Sequence, residues 1–274
     1  MNAPLITSIG LASCLALASA AEQGWVKIDA KHLDWPDSLP LLTQRHWVQV
    51  LDMPLMTHVR GFIRPSPKRR ASGDPEIRTQ VAELIEALPA QEKVDLKIEW
   101  LAGDPKPVDF KRTFHPVAGI ARSSHRIGNT TITRTVLAAE EENAVFIHLI
   151  ADQPGALSFR VTFGVSGEGD VKIEDRRQIV RPAAVDRPGS LGGHVWVLPF
   201  ESDVATEGDS IAVRGEGEAL ILITWAAGSE ATPSLTGTLA RLGNRYDAGH
   251  VPPDPGKIWH GVLENHLKST KNSP

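Results

Sequence analysis

The sequence predicts an antiparallel β-sandwich with one amphipathic helix before the strands and a short helix at the C-terminal end. Three observations predict it. From Val94 onward, short runs rich in β-branched and aromatic residues recur. The clearest of them alternate apolar and polar residues with a period of two, as half-buried strands do. Glycine- and proline-bearing turns separate them at the spacing of an all-β domain. With 274 residues, 41% hydrophobic and 23% charged, the chain has the composition of a globular protein able to bury a substantial core.

At the N-terminal end, Leu5 to Ala18 is almost unbroken apolar or small sequence and meets Ala18-Ser19-Ala20. That is the pattern of a cleaved export signal over 1–20, which predicts a periplasmic or extracellular protein. The n-region carries no Lys or Arg. Cys14 follows Leu11-Ala12-Ser13, so a lipid anchor on it is the competing reading, but the residues after it stay apolar where a polar tether is expected. Cys14 is the only cysteine, so removing the signal would leave neither a disulfide nor a thiol nucleophile. No later stretch approaches the roughly 20 apolar residues that a helical membrane span needs.

Residues 21–92 read as an N-terminal extension with a helix over 74–88. Pro75 stands in its first turn, Ile77, Val81, Leu84, Ile85 and Leu88 recur at helical spacing, and Pro89 ends it. The sandwich is predicted over 93–228. Val94, Leu96, Ile98 and Trp100 alternate with Asp95, Lys97 and Glu99, and Thr130 to Leu137 follows a Gly128-Asn129 turn. Val145 to Ile150 is apolar on both faces and should lie centrally. Leu157 to Phe163 presents Leu157, Phe159, Val161 and Phe163 on one side. A Pro154-Gly155 turn joins those two, and an antiparallel hairpin is the simplest connection. Val195 to Phe200, Ile211 to Arg214 and Leu220 to Trp225 continue the series. Residues 229–274 read as a linker and a C-terminal helix from about Lys257, with Ile258, Val262, Leu263 and Leu267 on one side. That side needs a partner.

A net charge of −4 from 29 basic and 33 acidic residues spread along the chain gives no polyanion-binding footprint, so no nucleic acid partner is expected. Gly167-Glu168-Gly169 and Gly215-Glu216-Gly217 read as turns, since neither opens a helix that could receive a phosphate. Ten histidines show neither H-x-x-x-H nor H-E-x-x-H spacing, so no metal is expected, and no cofactor motif is present. Glu140-Glu141-Glu142 and Asp170, Glu174 and Asp175 read as solvated loop charges. His148 reads as a hydrogen-bonded core residue, while His115 and His125 read as surface groups flanking a hairpin. Seven tryptophans against one tyrosine suit stacking on a sugar ring. Trp100 and Trp225 fall in apolar alternation and should be buried. Trp196, after the glycine-rich loop that ends at Gly192-Gly193, and His194 beside it are the candidate carbohydrate-binding residues.

From Lys93 to Ala227 the order of elements resembles the N-terminal domain of glycoside hydrolase family 95, the fucosidase and galactosidase group. Phe110-Lys111-Arg112-Thr113-Phe114 and then Gly119-Ile120-Ala121-Arg122 resemble the family's aromatic and arginine stretch before a strand. Thr133-Arg134-Thr135-Val136-Leu137-Ala138 is similar to its "R-E-x-F-A-S" strand. Val145 to Leu157, ending Ala151-Asp152-Gln153-Pro154-Gly155-Ala156-Leu157, resembles its hallmark "V-x-x-L-x-A-D-x-P-G-A-L" and is the most specific part. Asp34 to Leu41 looks like the approach to "P-L-G-N-G-x-L-G", with the glycines and the asparagine missing. Trp259 to Leu267 is similar to the helix leading into the family's (α/α)6 barrel. The resemblance implies an exported, non-catalytic domain that binds carbohydrate or partners a glycosidase catalytic domain. The family's catalytic groups belong to the barrel, so no catalytic residue carries over. The alternatives are a glycoside-active enzyme with a site on the sandwich rim, or a truncated fragment of a fucosidase-like hydrolase.

Overall fold

The structure is a computed structural model that describes residues 26–28, 39–42, 46–63, 83, 87–88, 93–101, 106–115, 118–139, 142, 144–164, 171–174, 176–183, 190–201, 204–227, 235–250 and 254–271. The signal segment with Cys14, nearly all of the 74–88 helix, Glu140, Glu141, Asp170, Asp175 and the Gly167-Glu168-Gly169 turn lie outside them. The strands are β1 (Val26–Ile28), β2 (Leu39–Leu42), β3 (His46–Met53), β4 (Met56–Ile63), β5 (Val94–Trp100), β6 (Val108–His115), β7 (Ile120–Ile127) and β8 (Thr130–Ala139). They continue with β9 (Ala144–Ala151), β10 (Leu157–Phe163), β11 (Lys172–Glu174), β12 (Gln178–Arg181), β13 (Leu191–Pro199), β14 (Val204–Glu207), β15 (Ser210–Glu216) and β16 (Glu218–Ala227). Two helices follow, α1 (Leu235–Tyr246) and α2 (Pro255–Lys271).

All pairings are antiparallel and build two sheets. One has nine strands in the order β1-β6-β7-β8-β9-β16-β13-β12-β11, and the other has seven in the order β14-β15-β10-β5-β4-β3-β2. The all-β sandwich is therefore present as the sequence predicts. β9 is the middle strand of its sheet, where a segment apolar on both faces belongs. One apolar face, Val145, Ile147 and Leu149, enters the core between the sheets, and Ala144 and Phe146 on the other enter a second core beneath the helices. Strands β1 to β4 pair into both sheets, so the stretch read as an N-terminal extension contributes to the sandwich itself.

Two interior contacts show why glycine stands in otherwise regular strands. A Cβ on Gly61 of β4 would lie 2.6 Å from Cζ2 of Trp225 on the opposite sheet, and one on Gly193 of β13 would lie 2.5 Å from Cζ of Phe163. Each glycine is a socket for a ring reaching across the core.

The Asp152-Gln153-Pro154-Gly155 turn does not close a hairpin. It carries the chain from β9 in the nine-stranded sheet to β10 in the seven-stranded one. Gly155 takes φ 73°, a conformation that favours glycine. Asp152 accepts the amide of Thr131 at 2.8 Å, and the amide of Ala151 donates to the carbonyl of Gly217 at 2.9 Å. The β15–β16 crossing thus abuts the β9–β10 crossing. There the carboxylate of Glu216 accepts the amides of Glu201, Gly217 and Glu218.

The C-terminal helix forms as its spacing predicts: Ile258 and Val262 are buried, and Leu263 and Leu267 pack against the same cluster. Their partner is the outer face of the nine-stranded sheet, through Leu137, Phe146, Leu220 and Leu222. α1, which had no distinct sequence signal, packs beside α2 and buries Leu242 there.

Candidate functional site

Trp196 and His194 lie on β13 and point to the outer face of the nine-stranded sheet, in register with Leu222 and Thr224 of β16. Neither is open. Trp196 is 6% exposed and belongs to the apolar layer beneath α1 and α2, and His194 is 9% exposed. Burial lowers the pKa of His194, with Glu174 opposing. Next to them the helices are fastened by polar ties. The His148 ring stacks on Trp259 with centroids 4.7 Å apart, and its Nε2 meets Glu218 Oε1 at 2.7 Å. His266 reaches the carbonyl of Ala118, and the hydroxyl of Tyr246 donates to Glu142 at 2.5 Å. Glu142, read from sequence as solvated, is buried, and Arg245 also bonds it at 3.3 Å. Asp247 accepts Lys257 at 2.6 Å and the amide of Asp254 at 2.8 Å, and these bonds hold its carboxyl below the usual range.

A dense buried polar group lies between the sheets, at an end bounded by the β3–β4 turn. Arg134 of β8 is fully buried. Its inward position follows from its strand, where Ile132, Arg134, Val136 and Ala138 share a face. Its Nε donates to Ser123 Oγ at 2.9 Å. Its Nη1 donates to the carbonyls of Met53 at 2.7 Å and Met56 at 3.3 Å, and to Thr57 Oγ1 at 3.1 Å. Thr57 in turn donates to Asp52 at 2.6 Å, and that carboxylate lies 3.8 Å from Arg134 Nε. The guanidinium also faces the rings of Trp100, at 5.9 Å, and Phe110, at 5.7 Å. One side chain therefore ties the nine-stranded sheet to the turn of the other.

His125 completes this group. The sequence placed it at the surface, yet it is 1% exposed, edge-on to Trp100 at 5.9 Å. Its strand neighbours on the same face, Ala121 and Ser123, are inward, so the register that buries them buries His125. Its pKa is pushed down to about 4 by burial and by Arg134, with Asp52 opposing. The sequence reading missed this cluster altogether. Its signal was a polar residue in phase with apolar core positions on β7 and β8.

The outer face of the seven-stranded sheet is polar. His58 and Arg60 both contact Asp95, Lys97 pairs with Glu99 at 2.6 Å, and Glu207 receives Arg160 at 2.5 Å and Arg214 at 2.8 Å. Among the described residues, the large apolar side chains that are exposed are Leu55, in the β3–β4 turn, and Val108, at the start of β6. No group of three or more potential metal ligands occurs among the described residues, and none of the described helices is long and apolar enough to cross a membrane.

No protein-family model matches the sequence, and no curated protein matches it. Among solved structures, a human-microbiome protein assigned as a kojibiose phosphorylase is similar over 87% of this chain, at 8% identity and a TM-score of 0.43. The chain spans about a third of that protein, 35% of its length.

Proposed function

We propose that this sandwich is an exported, non-catalytic domain of the glycoside hydrolase family 95 N-terminal type, acting in carbohydrate binding. The observation that carries the reading is the use the fold makes of Ala151 to Leu157. This run most resembles the family's pattern, and four of its seven residues have a fixed duty. Ala151 bonds the neighbouring crossing, Asp152 caps β8, Gly155 supplies a positive φ, and Leu157 is fully buried. Turn chemistry alone requires only the Pro-Gly pair. A non-catalytic role is supported by the buried carboxylates, since Asp52, Glu142, Glu216 and Asp247 each hold parts of their own fold.

A scaffold role for a glycosidase catalytic domain is the competing reading. Binding is favoured because α2 spends its apolar side on its own sheet. With Trp196 and His194 covered, the polar ladder of Lys97, Glu99 and Arg160 is, among the described residues, an open surface suited to a hydroxyl-rich ligand. The test is a glycan array with the purified chain, repeated with Lys97→Ala/Glu99→Ala/Arg160→Ala. Retention of a glycan that the triple variant loses is expected. No retention together with co-purification of a hydrolase would favour the scaffold. Turnover of aryl glycosides above background would overturn the non-catalytic reading.

A further inference from the structure

The interior group around Arg134 holds several hydrogen-bond donors that its neighbours do not use. Trp100 Nε1, Arg134 Nη2 and both ring nitrogens of His125 are buried without a hydrogen-bond partner among the described residues. These side chains come from β5, β8 and β7, and Trp100 contacts both of the others. The indole offers one N–H and Nη2 offers two, while a neutral imidazole offers one N–H and one lone pair. Among these atoms four donors stand against one acceptor, and the Asp52 carboxylate, which accepts Thr57, lies 3.8 Å from Arg134 Nε. Water brings as many donors as acceptors, so by itself it does not reduce the excess of three among these atoms. An anion, which only accepts, does.

His194 and Thr224 provide a contrast within the same molecule. They face each other across β13 and β16 with both imidazole nitrogens and Thr224 Oγ1 buried and unpartnered. That pair has donors and acceptors enough for water to satisfy it.

We propose that a small monovalent anion of halide or nitrate size binds among Trp100, His125 and Arg134, between the two sheets. The local charge agrees. Arg134 sees Asp52 at 3.8 Å, beyond a hydrogen bond, and Arg112, itself engaged by other groups, adds a second buried positive charge nearby. The donor atoms have essentially no solvent exposure, which excludes a bulky ligand, and a multiply charged ion would cost far more to desolvate. Such a site is separate from the polar outer face and stands whether or not that face binds carbohydrate.

The test compares thermal unfolding of the purified chain in sodium bromide, sodium nitrate and sodium gluconate at one ionic strength. It is joined by a crystal grown in bromide. The midpoint is expected to rise with the logarithm of bromide or nitrate concentration above a threshold, and not with gluconate, which is too large for a closed interior. The crystal is expected to show an anomalous peak in contact with Trp100 Nε1 and Arg134 Nη2. Trp100→Phe keeps a ring in place but removes one donor, and should weaken the apparent anion affinity about tenfold. Equal midpoints in bromide and gluconate would overturn the proposal, as would a crystal with only water, or with bromide elsewhere. If Trp100→Phe fails to fold, the unmodified chain and its crystal decide the matter alone.

Discussion

His125 should make the fold sensitive to mild acid. In the folded chain its pKa is pushed down to about 4, against 6.5 for an unperturbed imidazole. Between those values the unfolded chain binds the proton and the folded one does not, so stability is full above about pH 6.5 and falls as the pH drops toward 4. At about 1.36 kcal/mol per pKa unit, the whole shift is worth about 3.4 kcal/mol, of which about 2 kcal/mol is lost by pH 5. His125→Phe removes two buried nitrogens that make no bond and keeps a ring of similar shape. At pH 8 it should change stability by less than about 1.5 kcal/mol. The decisive quantity is the difference in unfolding free energy between pH 8 and pH 5, measured by urea titration in gluconate buffer. The variant should lose about 2 kcal/mol less than the parent chain over that interval. His194, also lowered by burial, acts in the same direction but is common to both proteins. Equal losses in the two proteins would show that His125 takes up its proton without penalty, and the buried-imidazole argument would fail.

Arg134→Met leaves two carbonyls without their shared donor and the buried Asp52 carboxylate without its countercharge, so urea titration should register a loss of about 3–5 kcal/mol. Adding Asp52→Leu and Thr57→Val should recover part of it. Gly61→Ala drives a methyl into Trp225 and should cost about 1–3 kcal/mol by thermal unfolding, with partial rescue by Trp225→Phe. Tyr246→Phe deprives buried Glu142 of its shortest bond, and about 1–3 kcal/mol should be lost. Hydrogen exchange should then rise in α1 and α2 before it rises in the sheets.

Strand existence was legible because it depends on local alternation. Val94–Trp100 and Leu157–Phe163 lie where the period of two puts them, and Thr130–Ala139 and Ala144–Ala151 lie where β-branched and apolar runs next to turns put them. Sheet membership was not legible. Asp152 to Gly155 has the same turn chemistry whether the next strand pairs with the last or leaves for the opposite sheet. What decides is β10 pairing with β5 and β15, segments separated from it by about sixty and about fifty residues. The same limit hid Glu142, whose partners Arg245 and Tyr246 lie more than a hundred residues further on.

The interior polar group was half visible. On β8 the inward positions are Ile132, Arg134, Val136 and Ala138, so the arginine interrupts an apolar face that strand periodicity alone identifies. On β7 Ser123 and His125 do the same after Ala121, and the pairing of Ser123 with Arg134 brings the two interruptions side by side. A polar side chain in phase with core positions must find partners, take up a ligand or shift its pKa. Here all three responses are drawn on: Arg134 finds carbonyls and hydroxyls across the core, His125 stays neutral well below its usual pKa, and the donors left over call for an acceptor from outside the chain. The interruption of periodicity, more than the tryptophan count, was the part of the sequence that pointed to chemistry.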